Sequence, residues 1–190
     1  VVVKNGALWA LVMLASCAAN PAPAPRPPVD SLMEGTDGAL HAIVPREQGA
    51  YVVIIFFSPE CHILAAHDDR LRKLVTAFGS SGVHFLAVDS EVDANIDRDR
   101  ALAEERRYPF PILLDRGADL ARSLGARYAG HTVIIDHTGA VRYQGGIDSD
   151  RVKLHDDATA YLADALTDLL AGKPPRVAES KSLGCALRLR

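Results

Sequence analysis

Three cysteines and seven histidines are the residues best suited to chemistry in this 190-residue chain. Cys61 stands out by position. It follows the apolar run YVVIIFF (51–57) and a Ser-Pro-Glu turn, where a helical pattern begins. A helix N-terminus presents unpaired N–H groups and the positive end of the macrodipole, and both favour thiolate over thiol. The dipole contributes about 0.3–1 kcal/mol when exposed and up to ~2 kcal/mol when partly buried, against about 1.4 kcal/mol per pKa unit. A thiol pKa near 8.5 would thus fall by roughly one unit, leaving a nucleophilic fraction near neutral pH. Protonated His62 would help, and Glu60 would oppose. The plainer reading makes Cys61 a small apolar residue at a helix start.

The other two cysteines are Cys17 and Cys185. No C-x-x-C pair exists, so the cysteines do not read as a zinc site. His67 falls on an apolar helical stripe with Leu71, Leu74 and Phe78, which suits a core histidine better than a ligand. His41, His84, His137 and His155 belong to no constellation. Asp89 and Asp93, in DSEVDANID, resemble a calcium loop only loosely, and a solvated acidic loop is the simpler reading. The net charge of -3 gives a nucleic-acid partner no support.

Cys17 ends a segment that reads as a signal peptide, residues 1–17. Lys4 is its basic start and ALWALVMLA its apolar run, well short of the roughly 20 residues of a spanning helix. LASC resembles the lipobox of bacterial lipoproteins, which implies cleavage before Cys17, lipidation of its thiol and a membrane anchor. Residues 18–34 form a Pro/Ala-rich linker that favours an extended, solvated chain. These features predict export to the cell envelope or periplasm, where disulfides persist.

The elements that must position Cys61 follow in residues 35–172, one domain by length. ALHAI is a weak first strand. YVVIIFF is apolar on both faces, as a central strand covered on both sides should be. One helix is expected from His62 to Phe78, then a strand, VHFLAV (83–88). Such a β-α-β unit is right-handed with parallel strands. A charged helix covers 95–107, an edge strand follows in PFPILL, and ADLARSLGA is a short helix. HTVIID and AVRYQG form a hairpin. A final helix carries Ala158, Tyr161, Leu162, Ala165, Leu166, Leu169 and Leu170 on one stripe, and Gly172 and Pro174 stop it. The tail, 173–190, has no period and carries Cys185.

This order, with FFSPEC at the strand-to-helix turn, YPFPILLD before the short helix and VIIDHTGAVRYQG in the hairpin, resembles the redoxin branch of the thioredoxin-like superfamily. TlpA-like and AhpC/TSA-like proteins are the nearest groups. The resemblance implies an α/β, thioredoxin-like fold: a central mixed β-sheet flanked by helices. It places the reactive cysteine at Cys61. It also implies a thiol, disulfide or peroxide substrate and a reducing partner protein. Leu64 stands where a C-x-x-C oxidoreductase has its second cysteine. Gly130 stands at the family's cis-proline. Ser58 matches the peroxiredoxin Ser/Thr three residues before the reactive cysteine, and the proline further upstream falls on Ile54. Arg122 and Arg127 are near in sequence as further donors. Some exported redoxin-domain proteins end in a Gly-Cys motif like that at Cys185. Cys185 could form a structural disulfide with Cys61, resolve an intermediate on it, or remain unpaired.

His131 follows Gly130 and is expected to face Cys61. Sco-type copper chaperones share this fold, and their metal-binding histidine sits in a motif that His131-Thr132 resembles. Ala65 stands at the second cysteine of those proteins. Cys61 and His131 are thus the ligands of an alternative copper site, in place of an enzyme with no cofactor. Three functions remain open from the sequence: a thiol oxidoreductase acting through Cys61, with Ser58, His131 and Cys185 around it; a copper-binding module; and a thioredoxin-fold binding scaffold without catalysis.

Overall fold

The computed structural model of the chain describes residues 32–189. Cys17, the signal-like segment and most of the linker lie outside them. Among the described residues, no helix is long and apolar enough to cross a membrane.

Strand β3 (Tyr51–Phe57) is the centre of a five-stranded mixed sheet. Its continuous apolar run suits a strand covered on both faces. Val53, Ile55 and Phe57 enter one core, and Val52, Ile54 and Phe56 enter the other. On one side, β3 pairs in parallel with β4 (Val83–Asp89), which pairs in parallel with the short edge strand β5 (Ile112–Leu114). On the other side, β6 (Thr132–Asp136) runs antiparallel to β3, and β7 (Val141–Gly145) antiparallel to β6. The β6–β7 turn is closed by Asp136, whose Oδ1 accepts from the N–H groups of Thr138 and Ala140 at 2.8 and 3.0 Å. Gly139 supplies the φ of 78° that this turn needs.

The helix expected from His62 to Phe78 is two: α1 (His62–Ala66) and α2 (Asp68–Phe78), broken at His67. The histidine side chain causes the break. Its Nδ1 donates to the Ile63 carbonyl at 2.8 Å, the acceptor that the His67 backbone would use in a continuous helix. The His67 N–H turns to Leu64 O at 2.9 Å instead. Helix α3 (Ile96–Glu105) is capped by Asn95, whose Oδ1 accepts from Asp97 and Arg98 N–H at 3.0 Å. α4 (Asp119–Ser123) packs on the second core, and α5 (Tyr161–Leu170) closes the first through Leu162, Leu166 and Leu169. α5 begins at Tyr161 rather than Ala158.

One further expectation is revised. The ALHAI strand is β2 (Leu40–Ala42), and it pairs with β1 (Leu32–Glu34) in a separate small sheet. Strand β1 therefore lies inside the span read as linker. The tail is also laid down in order. Arg176 pairs with Asp168 at 2.9 Å, Gln144 N–H donates to Ala178 O, and Ser180 N–H donates to Gln144 O, both at 3.0 Å. The tail thereby runs beside β7 and then crosses the sheet end toward β4.

Candidate active site

β3, β4 and β5 deliver their C-terminal ends to one rim, the usual place for a site in such sheets. Cys61 stands at that rim. After Phe57 the chain turns at Ser58-Pro59-Glu60, and the Cys61 N–H closes the turn on Ser58 O at 3.2 Å. Cys61 is the N-cap of α1, and its Sγ accepts from the Leu64 N–H at 3.4 Å. A sulfur carrying negative charge there would meet a backbone donor and the positive end of the helix. Cys61 is 1% exposed. Arg106 holds the turn from outside: it donates to Pro59 O at 3.0 Å, and its guanidinium sits 5.7 Å from the centre of the Phe57 ring. Sequence reasoning missed this role, because Arg106 lies in a segment read only as a charged helix.

Cys61 and Cys185 form a disulfide, with Cα atoms 5.6 Å apart. The tail brings Cys185 there through a series of contacts. Ser182 Oγ meets Nδ1 of His131 at 2.8 Å. Gly184 lies flat on the Ala129 backbone, where a Cβ would come within 1.6 Å of the Ala129 carbonyl oxygen. The Ala129 N–H donates to Cys185 O at 2.9 Å, and the Cys185 N–H donates to Cys61 Sγ at 3.3 Å. Beyond it, Leu187 N–H donates to Arg127 O, and Val92 N–H donates to Arg188 O, both at 2.9 Å. Arg188 ends the crossing on Glu91 and Asp93, at 2.6 and 2.9 Å.

The remaining expected site residues divide. Ser58 is buried beside Cys61, and its carbonyl forms the turn. His131 does not face Cys61. Its ring lies 5.9 Å from the Phe56 ring, and Phe56 belongs to the core on the opposite face from Cys61. Strand alternation explains this: His131 precedes Thr132, whose face is the Cys61 face, so His131 takes the other. Burial lowers its pKa to about 4, so the imidazole is neutral, and Nε2 is buried without a hydrogen-bond partner. With Cys61 Sγ in a disulfide and His131 across the sheet, this pair does not fit a copper centre. Arg122 reaches Asp119 at 2.5 Å, and the Arg127 carbonyl holds the tail by accepting from Leu187 N–H.

Two buried ionic groups flank the site. His67 Nε2 meets Asp148 at 3.2 Å, and Arg70 reaches the same carboxylate at 2.6 Å and Asp150 at 3.0 Å. Both ring nitrogens of His67 face acceptors only, an arrangement that favours the doubly protonated imidazolium. Burial opposes that charge, but the hydrogen bonds to Asp148 and Ile63 outweigh it and raise the pKa. Asp89 and Asp99, both fully buried at the end of β4 and in α3, form a second group with Arg98. Burial first, and the Asp89 charge second, push Asp99 up to about 7. The Asp89 Oδ1 accepts from Glu91 N–H at 2.9 Å, which steadies the loop where Arg188 docks.

Residues 29–144 match the sequence model of the AhpC/TSA family. Among curated proteins, none matches the chain significantly. Solved structures share the fold. An uncharacterized conserved protein from Geobacillus kaustophilus is 24% identical, with 87% of this chain and 93% of that one covered, at a TM-score of 0.76. Peroxiredoxin Q from Xanthomonas campestris is 18% identical over 75% and 91% of the two chains, at 0.55. A secreted Mycobacterium tuberculosis disulfide oxidoreductase, homologous to E. coli DsbE, is 16% identical over 76% and 96%, at 0.51.

Proposed function

The chain belongs to the AhpC/TSA family, and from that premise we propose that it is an exported thiol-dependent oxidoreductase in which Cys61 attacks and Cys185 resolves. The observation that carries this is the Cys61–Cys185 disulfide at the N-terminus of α1. In the reducing half-cycle on a peroxide, the Cys61 thiolate attacks one oxygen. An S–O bond forms, the O–O bond breaks, and the leaving alkoxide or hydroxide takes a proton. Cys185 thiolate then attacks the sulfenic sulfur, the S–S bond forms, the S–O bond breaks, and the leaving hydroxide takes a proton to become water. On a disulfide substrate, Cys61 forms a mixed disulfide first, and Cys185 displaces the substrate thiol. Both routes end in the same bond.

Restoring the enzyme needs a reducing thiol. Cys61 is 1% exposed, whereas Cys185 is only half-buried. The incoming thiolate therefore attacks Cys185, and Cys61 departs as a thiolate capped by the Leu64 N–H. A lower-pKa sulfur is the better leaving group.

The test is thiol trapping with mass spectrometry on the reduced protein. One equivalent of peroxide should give the disulfide in the wild type and a trapped Cys61 sulfenic acid in Cys185→Ser. Cys61→Ser should lose at least a hundredfold in peroxide consumption. Parallel runs with a model disulfide decide between the two substrates. Two free thiols that ignore both oxidants would overturn the proposal, and a non-catalytic scaffold predicts that outcome. Export and lipid anchoring at Cys17 form part of the same reading. They rest on LASC and the Pro/Ala-rich linker, and a Cys17→Ala variant that still fractionates with membranes would refute the anchor.

A further inference from the structure

Beside the tail lies a groove of about 400 Å³ whose walls include Arg127, Tyr128, His131, Arg151, Glu179 and Lys181. Its volume suits a small molecule. Leu183 and Gly184, the two residues before Cys185, line it as well, so the groove follows the tail up to the residue that precedes Cys185. Its charge is unusual for this chain. The protein carries a net -3, yet the groove holds three cations and one carboxylate. Elsewhere, arginines such as Arg70, Arg98, Arg176 and Arg188 face carboxylates. Arg127, Arg151 and Lys181 make no ion pair among the described residues. His131 adds a neutral imidazole with an unpartnered Nε2. Clefts lined by one sign of charge concentrate ligands of the other sign and speed their encounter.

We infer that this groove binds the reductant of the disulfide, and that the reductant is a small thiol bearing a carboxylate. The inference rests on the redox reading above. The anionic group sits among Arg127, Arg151 and Lys181, which brings its thiolate to the half-buried Cys185. The thiolate sulfur bonds to Cys185 Sγ, the Cys61–Cys185 bond breaks, and its electron pair leaves on Cys61. A second thiolate attacks the reductant's own sulfur in that mixed disulfide. It frees Cys185 as thiolate and leaves as the reductant's disulfide. Two thiolates are oxidised, one protein disulfide is reduced, and the protein thiolates take protons from water as their pKa values require.

The test uses the oxidised protein and three probe thiols: anionic 3-mercaptopropionate, neutral 2-mercaptoethanol and cationic cysteamine. Each rate of disulfide reduction is expressed per thiolate and divided by the same thiol's rate on an unstructured model disulfide. The wild type should favour 3-mercaptopropionate over cysteamine by about tenfold at low salt, fading as salt is added. The triple variant Arg127→Glu, Arg151→Glu, Lys181→Glu should invert the order while keeping its rate with 2-mercaptoethanol. Equal normalised rates for the three thiols in the wild type would overturn the inference and leave the redox reading intact. So would an unchanged order in a triple variant that keeps its neutral-thiol rate. A disulfide that no thiol reduces, or that an oxidant cannot re-form, would overturn both. The wild-type comparison stands even if the triple variant fails to fold.

Discussion

Gly184 shows how a single residue without a side chain decides chemistry elsewhere. Any Cβ at this position meets the Ala129 carbonyl oxygen, so only glycine lets the tail lie close enough for Cys185 to reach Cys61. We expect Gly184→Ala to leave the first reaction of Cys61 with peroxide nearly unchanged and to slow disulfide formation at least tenfold. Dimedone labelling of Cys61 should rise in proportion; disulfide formation at the wild-type rate would refute the role. Cys61 itself was legible from its place after an apolar strand and a Ser-Pro-Glu turn. Gly184 was not, because its importance lies in a contact with Ala129, far away in sequence. His131 was misplaced for a related reason: proximity to the cis-proline position says nothing of which face of the strand a residue takes. The buried pair Asp89–Asp99 was equally hidden, since the one lies in a loop that reads as solvated and the other in a helix that reads only as charged.

At the scale of elements, most of the sheet could be read from β-strand runs and turn residues, down to the β5 edge and the β6–β7 hairpin. The break between α1 and α2 could not. The hydrophobic stripe passes through His67 without interruption, and only the ring's bond to Ile63 O divides it. That bond gives the element a pH dependence. His67 has its pKa raised in the fold, burial opposing and Asp148 prevailing, while Asp148 is lowered, burial again opposing and His67 and Arg70 prevailing. Arg70, Asp148 and Asp150 are the charged groups facing this ring or its partner. For a raised histidine, the stabilisation is complete below the unfolded value of about 6.5 and is lost as pH rises through the folded value. His67→Gln should therefore cost about 1–3 kcal/mol at pH 5 and less at pH 9. Denaturant midpoints across that range would check it, and a loss that grows toward high pH would contradict the assignment.

For the whole molecule, the Cys61–Cys185 bond ties together positions 124 apart in sequence. In the chain-entropy model, closing such a loop stabilises the fold by about 5 kcal/mol at most. Reduction should lower the denaturant midpoint by a matching amount and speed amide exchange across 178–188, leaving α5 protected. Exchange that stays slow in the tail after reduction would show that its hydrogen bonds hold it alone. No periodicity in the sequence marked this segment, because its order comes from partners spread over β7, the 127–129 segment and the Glu91 loop. The pairing of Gln144 with Ala178 and Ser180 has a consequence for colloidal behaviour. β7 is the outermost strand on its side of the sheet, and part of its free edge is satisfied only while the tail lies beside it. A tail released by reduction uncovers backbone donors and acceptors that another chain can pair with. The thiol state would then govern whether these molecules stay apart in solution or begin to stack edge to edge.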